Sequence, residues 1–368
     1  TILFYFIFLR EPMKKLRMIA TSHLGSFFLY TSLVLSFDAH SQQPTLNILN
    51  WDDYLSEQTI NEWEKLNDSK IRLITYDNED MRDLLLTDTK QHQIDLAIVD
   101  VQSANKLANL GYLFDLNVAQ FKGNIEPKWL ETCGDHAVPY LWGTLGIAYR
   151  TDKVTSPVDS WADLFSSRQD LKGHIAMLGD YYGLSAPALI HLNLSPYTDK
   201  EQDLKKMYEL LKQQSDDVLT YDYAPSYLLD AENKDDMYAA VVYSGDQYTM
   251  NDSIGKDVWK YVLPKESSFL WLDCWVIPAN SEKKVLAQSF IDYIGRADVA
   301  AANSESIGVA TVDLRAYQLQ SSEMREDELI YPSQEVLDGL YSFQMLSDAN
   351  IRKRIRIQEA IKVIHESK

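Results

Sequence analysis

Residues 47–55 read NILNWDDYL. A strand-like start gives way to two adjacent carboxylates, Asp52 and Asp53, set between Trp51 and Tyr54. Large rings beside paired negative charge are wasteful at a surface unless something binds there. Asp100, at the end of the apolar run IDLAIVD, is a second acid of this kind. Three chemistries are open to such residues: capture of a cation, Ca²⁺ binding, and paired-carboxylate hydrolysis of a glycoside. The acid-rich YDNEDM (76–81) lacks the D-x-[DN]-x-[DN]-G pattern and runs into a helix, so capping is the expected role of its acids. His92, His136, His174, His191 and His365 are scattered without ligand spacing, and no metal site or cofactor is expected. Phosphate-cradling glycine motifs, a G-x-S-x-G elbow, H-E-x-x-H and C-x-x-C are all missing.

These acids need elements that bring them to one place. TLNILNW, KIRLITY and IDLAIVD read as strands. Between them, SEQTINEWEKLN reads as a helix capped by Ser56, with Ile60, Trp63 and Leu66 on one face, and NEDMRDLLLTDT as a helix with acids at its positive end. SANKLANLG reads as a short helix stopped by Gly111. Strand–helix alternation predicts a parallel sheet with right-handed crossovers. A second alternation follows, with strands GHIAML, MYAAVVY and FLWLDCWVIP and helices DKEQDLKKMYELLKQQ and EKKVLAQSFIDYIG. No disordered linker separates the halves, which implies two α/β lobes with a cleft between them. Ligands of open α/β sheets sit beyond the carboxyl ends of the strands. Trp51–Tyr54 and Asp100 fall at such ends.

The 368 residues suit two domains, and a net charge of −19 disfavours nucleic acid and anionic lipid as partners. Residues 1–41 read as upstream sequence followed by a secretory signal starting at Met13. Its basic region is Lys14, Lys15 and Arg17, its apolar region lies near 24–37, and cleavage is expected after Ser41. Export across a membrane permits disulfides. Cys133 and Cys274 lie far apart, and Cys274 sits in an apolar strand, so buried free thiols are the expectation, with a disulfide as the alternative.

LNILNWDDYL, PYLWGTLGIAYR, SWADLF…LKG, YSGDQY and FLWLDCWVIPAN, in this order, resemble the periplasmic polyamine-binding proteins, the spermidine- and putrescine-type receptors of ABC importers. The resemblance covers about residues 45–345. It implies a type II periplasmic binding protein fold, with one lobe at 45–145 plus 275–320, the other at 146–274 plus 321–368, and a hinge that closes them on ligand. Carried over by motif, the polyamine-binding residues are Trp51, Asp53, Tyr54, Asp180, Tyr243, Asp246, Trp271 and Asp273. Asp100 stands where the family often has serine, Gln102 where an aromatic can occur, and Gly183 where the spermidine type has a second acid.

Such a ligand explains the residue types. Each ammonium loses water on entering a cleft, at a cost of several kcal/mol, about, per charge. Carboxylates offset this with charge-assisted hydrogen bonds. Indole and phenol faces cover the methylenes and attract cations by about 0.5–2 kcal/mol each. Asp273 carries the most weight, because a carboxylate within an apolar strand is costly unless partnered. The expected function is periplasmic polyamine capture by a monomer, without catalysis, and delivery to an inner-membrane ABC permease. The alternatives are a sensor signalling to a membrane cyclic-di-GMP enzyme, and a secreted hydrolase. The basic C-terminal stretch IRKRIRIQEAIKVIHESK reads as a solvated helix face or as a docking surface for a membrane partner.

Overall fold

The computed structural model describes residues 43–51, 54–76, 79–87, 93–116, 124–342 and 344–368. The expected signal segment, Asp52, Asp53, Asp77 and His92 lie outside these residues. Strands β1 (Thr45–Asn50), β2 (Lys70–Thr75) and β3 (Leu96–Asp100) alternate with helices α1 (Glu57–Asn67), α2 (Glu79–Thr87) and α3 (Val101–Asn109). Helix α4 (Pro127–Cys133) leads into the long β4 (Val138–Arg150). Then come α5 (Trp161–Phe165), β5 (Ile175–Ala176), α6 (Tyr181–His191), α7 (Glu201–Gln214), β6 (Val218–Thr220), α8 (Ala224–Asp230), β7 (Ala239–Tyr243), α9 (Asp246–Ile254) and β8 (Trp259–Val262). Strand β9 (Leu270–Val276) is followed by α10 (Lys284–Ile294), α11 (Ala297–Ile307), β10 (Ala310–Thr311), α12 (Leu314–Leu319), α13 (Ser322–Glu326), α14 (Gln334–Asp338) and α15 (Asp348–Glu366).

Strands β1, β2 and β3 pair in parallel, as their helical crossovers require. Strand β9 adds antiparallel to β3 and carries the sheet on to β4. Strand β4 then changes sheets. Val138–Thr144 pairs with β9, whereas Leu145–Tyr149 pairs with β7, which continues through β5 to β6. Among the described residues three hydrophobic clusters result, one on the first sheet and two on the second, the smaller of these around Val242, Met250 and Trp259. Leu46, Trp63, Ile98, Trp275 and Phe290 belong to the first, and Ile147, Trp161, Leu189, Met207 and Val241 to the larger one on the second sheet. No helix among the described residues is long and apolar enough to cross a membrane.

Two local expectations change. In α1 the Ser56 hydroxyl caps Thr59 N at 3.2 Å, and Trp63 is fully buried, but Leu66 is 67% exposed. Three-residue steps drift around a 3.6-residue helix, so the stripe runs off the core face. Cys133 and Cys274 are not free thiols but a disulfide, with Cα atoms 6.2 Å apart. Cys274 lies on β9, opposite Val99 on one side and Pro139 on the other, and α4 ends beside it at Cys133. The bond spans a sequence separation of 141, a loop whose closure contributes about 5 kcal/mol in the chain-entropy model.

Candidate functional site

The carboxyl ends of β1, β2 and β3 and the start of β9 converge. Asp100 and Asp273 are directly opposite each other in the antiparallel β3–β9 pair, so both side chains lie on one face. Asp100 is held through both oxygens. One oxygen caps α3 by accepting from Ser103 N at 3.0 Å, and the other pairs with Arg82 Nη1 at 2.8 Å. Burial pushes its carboxyl up, but the Arg82 guanidinium and the Ser103 donors outweigh burial and hold it below the usual range. Asp273 is 8% exposed and makes no ion pair within 4 Å among the described residues. Burial, with the neighbouring Asp100 charge, pushes it up to about 7.

The second group of acids lies at helix starts of the other sheet. Asp246 opens α9 and accepts from Tyr223 Oη at 2.6 Å and Tyr243 N at 2.8 Å. No cation pairs with it among the described residues, and burial pushes it up to about 7 despite those two donors. Asp180 is the N-cap of α6 and accepts from Tyr182 N and Gly183 N, at 2.9 and 2.6 Å. Burial raises its carboxyl, opposed by those amides and by the Lys362 ammonium of α15. Gly183 has a local reason. A Cβ there would come within 2.7 Å of Asp180 Oδ2, so an acid at this position would displace Asp180.

A strip of rings joins the two groups. Tyr54 and Trp271 have centroids 6.5 Å apart, Trp271 and Tyr243 5.9 Å, Tyr243 and Tyr223 6.2 Å. Trp271 packs flat over β4 because its partner there is Gly143, where a Cβ would meet the indole at 2.6 Å. Trp51 stands apart from the strip, against Tyr76 at 4.4 Å. The Tyr54 hydroxyl and the Trp271 indole N–H are buried without a regular hydrogen-bond partner among the described residues. Tyr54 Oη is nonetheless close enough to Asp273 to lower its carboxyl against the effect of burial. Tyr181 Oη donates to Gln102 Oε1 at 3.0 Å, tying the start of α6 to α3.

Trp51, Tyr54, Asp100, Trp271 and Asp273 therefore gather at one strand-end cluster, and Tyr243 and Asp246 continue it through the ring strip. Asp180 sits at the head of α6, and Asp53 lies outside the described residues. Sequence reasoning missed Arg82, Tyr76 and Tyr223. An arginine inside the acid-rich 76–83 stretch was the available signal for the first, and the triplet Tyr221–Asp222–Tyr223 for the last. No group of three or more His, Cys, Asp or Glu among the described residues would hold a metal ion. What the described residues offer is two carboxylates without an ion-paired cation, Asp273 buried and Asp246 half-buried, with a strip of rings between them.

The model of the family described as bacterial extracellular solute-binding protein matches residues 58–330. The norspermidine sensor of Vibrio cholerae serotype O1 is 33% identical over 324 residues, covering 88% of this chain and 90% of that protein. The putrescine-binding periplasmic protein PotF of Escherichia coli K12 is 27% identical over 348 residues, covering 88% and 92%. The crystal structure of the spermidine/putrescine ABC transporter substrate-binding protein PotD from Streptococcus pneumoniae superposes with a TM-score of 0.72 at 23% identity, over 88% of this chain and all of that one. It shares the type II binding-protein fold, two α/β lobes about a hinge and a cleft.

Proposed function

Because the chain belongs to the bacterial extracellular solute-binding protein family, we propose that it captures a linear polyamine in the periplasm and hands it to a membrane partner. Asp273 and Asp246 each receive an ammonium group. Tyr54, Trp271, Tyr243 and Tyr223 line the methylene path between them, and the rings add cation–π attraction at each end. One observation carries this reading: Asp273 is buried and Asp246 half-buried, both lack an ion-paired cation among the described residues, and both are held near neutrality. A ligand bringing two positive charges ionises them and replaces lost water with charge-assisted hydrogen bonds. Lobe 1 (45–145 plus 275–320) closes on lobe 2 (146–274 plus 321–368) about the β4 crossing. Norspermidine, spermidine and putrescine are the candidate ligands, since relatives named for these polyamines cover most of the chain.

Two partners remain to be distinguished. Delivery to an ABC permease follows from the relatives named as transport proteins. Signalling to a membrane sensor is favoured by a specific observation, the 33% identity with a protein named as a norspermidine sensor, against 27% for the putrescine binder. Calorimetric titration of the mature chain with putrescine, norspermidine and spermidine tests the shared premise. Saturable one-to-one binding of at least one supports it, and no binding of any defeats it. Uptake of labelled polyamine lost on gene deletion identifies the importer role. Unchanged uptake with an altered transcriptional or adhesive response identifies the sensor role.

A further inference from the structure

Resting on that reading, we propose that Arg82 is a built-in cation that occupies one amine position at the strand-end cluster, so that the site selects diamines and triamines over tetraamines. Asp100 and Asp273 are cross-strand neighbours on one face, a placement that would otherwise present two carboxylates to the ligand. Arg82 removes one of them. Its side chain is wholly buried, with one amino group on Asp100 at 2.8 Å and the other on Asp83 at 3.1 Å and on Ser103 Oγ. Its guanidinium also lies over the Tyr76 ring at 5.7 Å, and a planar, permanently charged group held on several sides is not readily displaced by a flexible ammonium. Both oxygens of Asp100 are engaged, the first by Ser103 N and the second by the ion pair with Arg82. Among the described residues, the cluster therefore offers an incoming ligand Asp273 as its one carboxylate without an ion-paired cation, and a further ammonium beyond Asp273 finds the place at Asp100 already taken by Arg82.

The test compares affinities for putrescine, norspermidine and spermine at pH 8 and fixed salt, in the full mature chain and in two variants. In Arg82→Gln the charge is gone and Asp100 is released, so the spermine-to-putrescine affinity ratio rises fivefold or more. In the double variant R82Q/D100N the two charges leave together. The ratio then returns to within fivefold of wild type, and norspermidine affinity is kept within fivefold. A ratio that rises less than fivefold in Arg82→Gln overturns the proposal, as does a larger loss of norspermidine affinity in the double variant, which would make Asp100 a direct ligand. Should Arg82→Gln show no cooperative thermal transition, the double variant decides alone, because it leaves no buried charge unpaired. A wild-type chain that binds none of the three defeats the polyamine reading itself, a result distinct from binding with an unaltered ratio.

Discussion

The strand-end cluster and the helix-start cluster each hold two acids, and in each the two are treated differently. Asp100 has Arg82 against it at 2.8 Å, and Asp180 has the Lys362 ammonium acting on it. Asp273 and Asp246 have tyrosines for neighbours instead, Tyr54 and Tyr223, and neither makes an ion pair among the described residues, the Arg82 charge being the smallest influence on Asp273. The difference teaches what each acid is for. A carboxylate with an internal cation is already solvated by the protein and stabilises the fold. One without a cation is held near neutrality by burial, and an arriving ammonium gains most there. The clusters are not equivalent, however. Arg82 is buried and directly paired, whereas Asp180 depends mainly on the α6 amides.

Breaking the tightest pair gives the largest expected effect. Asp100→Asn leaves the buried Arg82 guanidinium with only the half-buried Asp83 as carboxylate partner and lowers unfolding free energy by about 3 kcal/mol, read by urea denaturation. Asp273→Asn should do the reverse in the ligand-free protein, raising its melting temperature at pH 8, because it removes an uncompensated buried charge. The same change costs about 2–5 kcal/mol of polyamine affinity, as does Asp246→Asn, measured by titration calorimetry. Equal stability changes in Asp100→Asn and Asp273→Asn would erase the contrast.

The pH dependence sharpens it. Asp273 and Asp246 titrate near 7 in the folded chain and near 4 when unfolded. The native state then binds more protons than the unfolded one between those values. Their contribution to stability is complete at low pH, is lost as pH rises from about 4 to about 7, and is flat above. Ligand binding runs the other way. Below pH 6 both acids must release a proton to accept an ammonium, so affinity falls towards a hundredfold per pH unit. At pH 7, where each is half protonated, about one proton is released per ligand, seen as a buffer-dependent binding enthalpy. No proton release would show that both acids are already ionised. The smallest expected effect belongs to Tyr223→Phe. It removes the 2.6 Å donor to Asp246, costs about 1 kcal/mol of binding, and moves only the titration assigned to that acid.

Much of the strand-end cluster was legible because strands report their neighbours through hydrophobicity. An aspartate inside FLWLDCWVIP reads as a buried carboxylate, and Asp273 is 8% exposed. The three parallel strands followed from alternation alone. What stayed hidden depends on order and partnership. Nothing in PYLWGTLGIAYR announces that its first half pairs with β9 and its second with β7. The disulfide was missed for the same reason: β9 inserts between β3 and β4, and only that insertion brings Cys274 to Cys133. Asp100 and Arg82 look unrelated 18 positions apart, because the acids around Arg82 serve equally well to cap a helix.

A crystal structure of the mature chain with norspermidine bound, grown at pH 8, tests the central claim most directly. The account predicts terminal ammonium nitrogens within hydrogen-bond distance of Asp273 and Asp246, with Trp271 along the methylenes and Asp100 still paired to Arg82. A terminal ammonium seated on Asp100, or a ligand reaching neither Asp273 nor Asp246, would contradict it.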